Sequence, residues 1–162
     1  AGDLQTGRSH SGVMVVLASD EGTYFPLCWY SKRPGCVSRS TTEAEIVAVS
    51  GGLFNETIPL QTLIDTILGR IVETEVKEDN TACIQILKAG YSAKLRYVNG
   101  THRISIAAIS EIVTKEEEEE GFKLVYTASA DQLANIFTKA LGKVSFLKAL
   151  WDIGIRKSSP KP

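Results

Sequence analysis

Between Gly12 and Leu17 the chain reads Gly-Val-Met-Val-Val-Leu, without a single polar side chain. The run is too short for an ordinary helix, and its branched side chains suit a pleated surface, so it is expected to form a strand buried on both faces. Such a strand belongs inside a layered structure.

The segments that follow say which layers. Ser19 to Thr23 supplies turn residues, and Phe25 to Ser31 gives a second strand, so the pair reads as a hairpin ended by Lys32-Arg33-Pro34-Gly35. Ser40-Thr41-Thr42-Glu43 has a hydroxyl followed three residues later by a carboxylate, a capping box that starts a helix running to about Gly51-Gly52. Asn55 to Leu68 continues the helical spacing, interrupted by Pro59 and stopped by Gly69. Val72 to Glu78 alternates as a strand and leads into a helix capped by Asp79 or Asn80.

Farther on, Tyr97 to Val113 carries helical spacing, and the five glutamates before Gly121 read as a solvated helix end. Phe122 to Tyr126 alternates as a strand, with helices expected over Gln132–Leu141 and Val144–Ile153. The order predicts an α/β domain, a mixed sheet flanked by helices, over residues 1–155, with a polar tail at 156–162.

Bulk properties exclude little. A 162-residue chain is long enough for one sizeable core, and a net charge of −1 lacks the basic excess of a free-standing nucleic-acid binder. Cys28, Cys36 and Cys83 show no paired spacing, which predicts buried reduced thiols and an intracellular, reducing compartment. No stretch is long and apolar enough to suggest a membrane span.

Three strings carry a family resemblance: Ser40-Thr41-Thr42-Glu43-Ala44-Glu45, Glu78-Asp79-Asn80, and Gln132-Leu133-Ala134-Asn135-Ile136-Phe137-Thr138-Lys139. Two further strings, Arg8-Ser9-His10-Ser11-Gly12 and Trp29-Tyr30-Ser31-Lys32-Arg33, support them in the same order. Together they resemble the ribonuclease H domain of copia-type (Pseudoviridae-like) LTR retrotransposon polyproteins, the reverse transcriptase-associated nuclease, and the similarity spans about residues 1–155.

The resemblance implies a ribonuclease H-like mixed sheet and two-metal hydrolysis of the RNA strand of an RNA-DNA hybrid. It implies Mg²⁺, or Mn²⁺, held by about four carboxylates, because a hard cation prefers oxygen donors. Glu45 and Asp79 would be two of the ligands, and Asn135 stands where the family has an Asp, which offers the metal one neutral oxygen. Glu43 would be the helix-capping glutamate, while Asp79 could instead be a plain helix cap.

The family's first Asp lies on an opening strand in a string like D-A-D-W-A-G-D. Ala1-Gly2-Asp3 matches only its last letters, so that strand and its carboxylate are expected to be missing, with Asp3 a loop residue. An incomplete carboxylate set implies weak or absent cleavage and a degenerate active site. The alternative is a transposon-derived structural or interaction subunit, whose protein partners complete the missing strand.

His10 falls in the first loop and His102 in Thr101-His102-Arg103-Ile104-Ser105, similar to the family's K-H-I-D block, and both are expected at a helix start or on the surface. Lys32, Arg33, Arg39, Lys94, Arg96 and Arg103 form either a basic face for the hybrid's phosphates or a solvated surface.

Overall fold

The computed structural model describes residues 9–114 and 122–155. Asp3, the glutamate run and the tail at 156–162 lie outside the described residues. The chain is an α/β protein whose strands form two separate pairs. β1 (Ser11–Ala18) and β2 (Tyr24–Lys32) make an antiparallel hairpin, and β3 (Thr74–Glu78) and β4 (Phe122–Tyr126) pair in parallel. Among the described residues no hydrogen-bonded ladder joins the pairs into the single mixed sheet that the sequence suggests.

Helices fill the space between. α1 (Thr41–Gly52) starts where Ser40 Oγ accepts the Glu43 amide at 3.1 Å, as the capping pattern requires. It runs through a π-turn (Leu53–Thr57) into α2 (Ile58–Leu68) with no break at Pro59, which occupies the first turn of α2, where its missing N–H is least costly. α3 (Thr81–Ala89) is capped by Asn80, whose side-chain oxygen accepts the Cys83 amide at 3.1 Å. Asp79 is therefore not the cap.

The helix expected over Tyr97–Val113 is two helices, α4 (Val98–His102) and α5 (Ile106–Val113), separated at Arg103, which has a left-handed φ of 56°. Of the helix expected over Gln132–Leu141, only a 3₁₀ turn at Leu133–Phe137 forms, followed by α6 (Lys143–Asp152).

The core lies between α1, α3, α5 and the β3–β4 pair. Ile46, Leu87, Val98, Ile109 and Val113 are wholly inaccessible, with Leu53 and Leu124 nearly so. Burying a side chain of this size contributes roughly 1.5–3 kcal/mol relative to its exposed state. The β1–β2 hairpin adds nothing to this cluster, so β1 departs from the expectation of burial on both faces: Gly12 to Val16 are only half-buried.

The physical reason is that β1 is covered unevenly. On one face Val13 packs on Gly52 of α1, where a β-carbon would lie 3.0 Å from the valine methyl. On the other face the 3₁₀ turn covers only the beginning of the strand. A β-carbon at Gly12 would sit 2.6 Å from Thr138 Cγ2 and 2.9 Å from the Ala134 carbonyl, and the second of these is backbone that cannot swing aside. Gly12→Ala is accordingly expected to cost about 1–3 kcal/mol in chemical denaturation, and a neutral result would refute this close approach.

Candidate functional site: an acidic cleft between two strand pairs

A cleft of about 580 Å³ separates β1 from β3. α1 and α2 form its floor, and the 3₁₀ turn after β4 closes one end. The three residues singled out from the sequence, Glu45, Asp79 and Asn135, all line it, together with Glu78 and Lys139.

Each element delivers its residue for a local reason. Glu45 lies in the first turns of α1, which the Ser40 cap fixes in place. Glu78 and Asp79 stand at the carboxyl end of β3, where strands of α/β folds commonly present ligand-binding groups. Asn135 is held by its own amide, which donates to the Ser129 carbonyl at 2.6 Å and to Ser129 Oγ at 3.1 Å. Lys139 donates to the same Ser129 hydroxyl at 3.0 Å and reaches Asp79 Oδ2 at 3.5 Å.

The electrostatics record how close the carboxylates are. Burial pushes the Glu45 carboxyl above its ordinary value; the charge of Asp79 adds to the rise and Lys139 opposes it. Glu78, only 5% exposed, is pushed up to about 7, chiefly by burial and then by Glu45 and Asp79, although its carboxylate accepts the Asn80 amide at 2.9 Å. Beneath them burial raises the Cys83 thiol, and the charges of Glu78, Glu45 and Asp79 raise it further.

Sequence reasoning missed Glu78 and Lys139. The strand alternation did contain a signal for Glu78: Thr74, Val76 and Glu78 share the less exposed face of β3, so a carboxylate had to fall on the covered side. Lys139 was visible as the end of the Thr138-Lys139 string, but nothing in the sequence linked it to Asp79.

Glu43 serves elsewhere. Its Oε2 accepts the Arg39 amide at 2.7 Å and the Tyr97 hydroxyl at 2.9 Å, and its Oε1 meets His102 Nε2 at 2.8 Å. Its carboxylate thus reaches back past the Ser40 cap to the Arg39 amide, where a capping box would take the Ser40 amide, and it is also wholly buried. Burial alone would raise its carboxyl; the hydrogen bonds from Arg39, Tyr97 and His102 outweigh that and hold it below the ordinary range. An ionised Glu43 only accepts, so His102 Nε2 carries the proton.

This corrects the expectation for His102, which ends α4 with its side chain 4% exposed and is neither a surface nor a helix-start residue. His10 lines the cleft. All six basic residues proposed for a phosphate-binding face are exposed, and none lines the cleft; Lys32 and Arg39 lie over the rings of Tyr30 and Tyr97. Of the cysteines only Cys83 is buried, and Cys36 is exposed, contrary to the expectation of uniformly buried thiols.

The fit to a resident metal pair is incomplete. Among the described residues no three His, Cys, Asp or Glu side chains are arranged to share an ion, and Lys139 already approaches Asp79. The amide nitrogen of Asn135 is taken up by Ser129, which leaves its single oxygen as the available donor.

Comparison of this chain with protein-family models, curated proteins and solved structures finds no match. No helix among the described residues is long and apolar enough to cross a membrane.

Proposed function

We propose that this chain is a retrotransposon-derived ribonuclease H-like domain whose cleavage of RNA in RNA-DNA hybrids is weak or absent. The observation that carries this reading is the meeting of Glu45 and Asp79 in one cleft, close enough for the charge of one to raise the other's carboxyl, with Asn135 lining the same cleft. These groups come from segments far apart in the chain and match the three strings on which the resemblance rests.

When bound, Mg²⁺ or Mn²⁺ would supply the Lewis-acid and water-activating chemistry of the family reaction. Glu45 and Asp79 are the residues that would hold it, and it would have to compete with Lys139 for Asp79. Of the chain's own groups, Lys139 partly neutralises Asp79, and Asn135 adds no charge. Low activity follows from that balance.

The test is hydrolysis of a labelled RNA-DNA hybrid in Mg²⁺ and in Mn²⁺. Any cleavage is expected to be slow and to vanish in Glu45→Gln and Asp79→Asn. In the same assay Asn135→Asp restores nothing, because it exchanges two amide donor bonds to Ser129 for a carboxylate facing the Ser129 carbonyl. Fast cleavage that survives the Glu45 and Asp79 substitutions would sink this reading.

A second reading, a structural or interaction subunit of a larger assembly, is favoured by a separate observation. Among the described residues β1 and β3 each pair with one strand, and both border the same cleft. Unpaired edges of this kind are places where another chain can add a strand.

A further inference from the structure

Ser129 lies in the turn after β4. The Asp131 amide closes this turn on the Ala128 carbonyl at 2.8 Å, and Lys148 of α6 donates to the Ala130 carbonyl at 3.4 Å, so the turn is pinned from two sides. The Ser129 hydroxyl oxygen accepts Asn135 Nδ2 at 3.1 Å and Lys139 Nζ at 3.0 Å, which engages both of its lone pairs.

The two donors do not depend on that hydroxyl equally. Asn135 also donates to the Ser129 backbone carbonyl at 2.6 Å, a bond that no change of side chain removes. Beyond the hydroxyl, the Lys139 ammonium meets Asp79 Oδ2 at 3.5 Å, with the two side chains 45% and 19% exposed. An ion pair that long and that open does not by itself outweigh the rotamer freedom of a lysine stem. The hydroxyl is what keeps the ammonium at Asp79.

An ammonium held there opposes any further cation. It neutralises part of Asp79 and repels a divalent ion approaching the same carboxylate. Its charge also reaches Glu45, whose carboxyl it pulls down while burial and the charge of Asp79 push it up.

We propose that Ser129 is a positioning residue, whose hydroxyl holds the Lys139 ammonium on Asp79 as a built-in counter-cation and thereby weakens the hold of the cleft on a divalent ion. This rests on the nuclease reading, in which Glu45 and Asp79 would bind that ion, and it names the group that opposes binding.

The experiment uses the full chain with Mn²⁺ alone as the probe. Affinity is read from the loss of the free-ion paramagnetic resonance signal, and the ordering of Lys139 from the relaxation of its ¹⁵N-labelled ammonium in the metal-free chain. Lys139→Met is expected to tighten Mn²⁺ at least about fivefold and Ser129→Ala at least about twofold. Ser129→Thr keeps the hydroxyl and should match the parent. Adding Ser129→Ala to Lys139→Met should change nothing further, because the hydroxyl acts through the ammonium. In Ser129→Ala the ammonium should lose the ordering it has in the parent.

Unchanged Mn²⁺ affinity in Lys139→Met overturns the proposal, as does an ammonium equally ordered with and without the hydroxyl. So does a gain from Ser129→Ala that persists on the Lys139→Met background, since the turn would then merely have loosened. If Asp79→Asn leaves the Lys139→Met gain intact, the ion binds elsewhere and the proposal falls. A gain that Asp79→Asn removes upholds it, even where fast cleavage surviving the Glu45 and Asp79 substitutions has sunk the nuclease reading.

Discussion

Replacing Glu43 by alanine is expected to remove about 3–5 kcal/mol of stability, enough to leave a chain of this size close to unfolding. The glutamate is wholly buried and holds three partners: the Arg39 amide, the Tyr97 hydroxyl and the His102 imidazole. Alanine removes the acceptor that all three share, and the buried His102 ring left without it costs about 1–3 kcal/mol by itself. Denaturant unfolding measures the loss. A double-mutant cycle of Glu43→Ala with Tyr97→Phe should show a coupling of roughly 0.5–3 kcal/mol, and a loss below about 1 kcal/mol in the single variant would refute the network.

The same contacts fix a pH dependence. Because the folded carboxyl lies below its ordinary value of 4.5, the contribution of Glu43 is fully present above that pH and fades as pH falls through the depressed value.

Glu78→Gln should act in the opposite direction and stabilise the protein. The Glu78 carboxyl rises from 4.5 to about 7, which at about 1.4 kcal/mol per pH unit corresponds to about 3 kcal/mol. A raised acid favours folding while it is protonated, so its contribution is complete below pH 4.5 and lost as pH rises through about 7. At pH 8 the ionised group opposes folding in the company of Glu45 and Asp79, and glutamine removes that charge while keeping an oxygen for the Asn80 amide. The gain should be greatest at pH 8 and absent at pH 4. A glutamine variant less stable than the parent at pH 8 would show that the ionised carboxylate is held by partners that favour it.

Both predictions depend on residues whose roles were unequally legible in the sequence. Glu43 was visible as a capping glutamate because the spacing from Ser40 is local, but its bonds to Tyr97 and His102 join segments more than fifty positions apart, which no local pattern encodes. That long-range bond coincides with the break between α4 and α5. His102 is committed to Glu43, and Arg103 next to it takes up a left-handed backbone that costs a non-glycine residue about 1 kcal/mol or more. With no glycine or proline at Arg103 to mark it, the periodic run from Tyr97 to Val113 looked continuous.

Elsewhere local polar bonds displaced the expected pattern. Asn135 and Lys139 spend their side chains on Ser129 and Asp79, and the segment after Gln132 tightens to a 3₁₀ turn where its apolar spacing suggested a full helix. Pro59 misled the other way, since the π-turn before it let α1 pass into α2 without interruption. In the cleft, Glu45 and Asp79 could be named in advance because they stand inside strings with a family pattern. Glu78 required knowing which face of β3 is covered.

The two glycine contacts on β1 bear on how any guest would be received. Gly12 lets the strand lie against the 3₁₀ turn, and Gly52 lets α1 close on Val13 from the opposite face. Gripped between them, the entrance to β1 is preorganised, so under the interaction-subunit reading a chain added at this edge would bear the entropy of its own ordering but not that of the strand it meets.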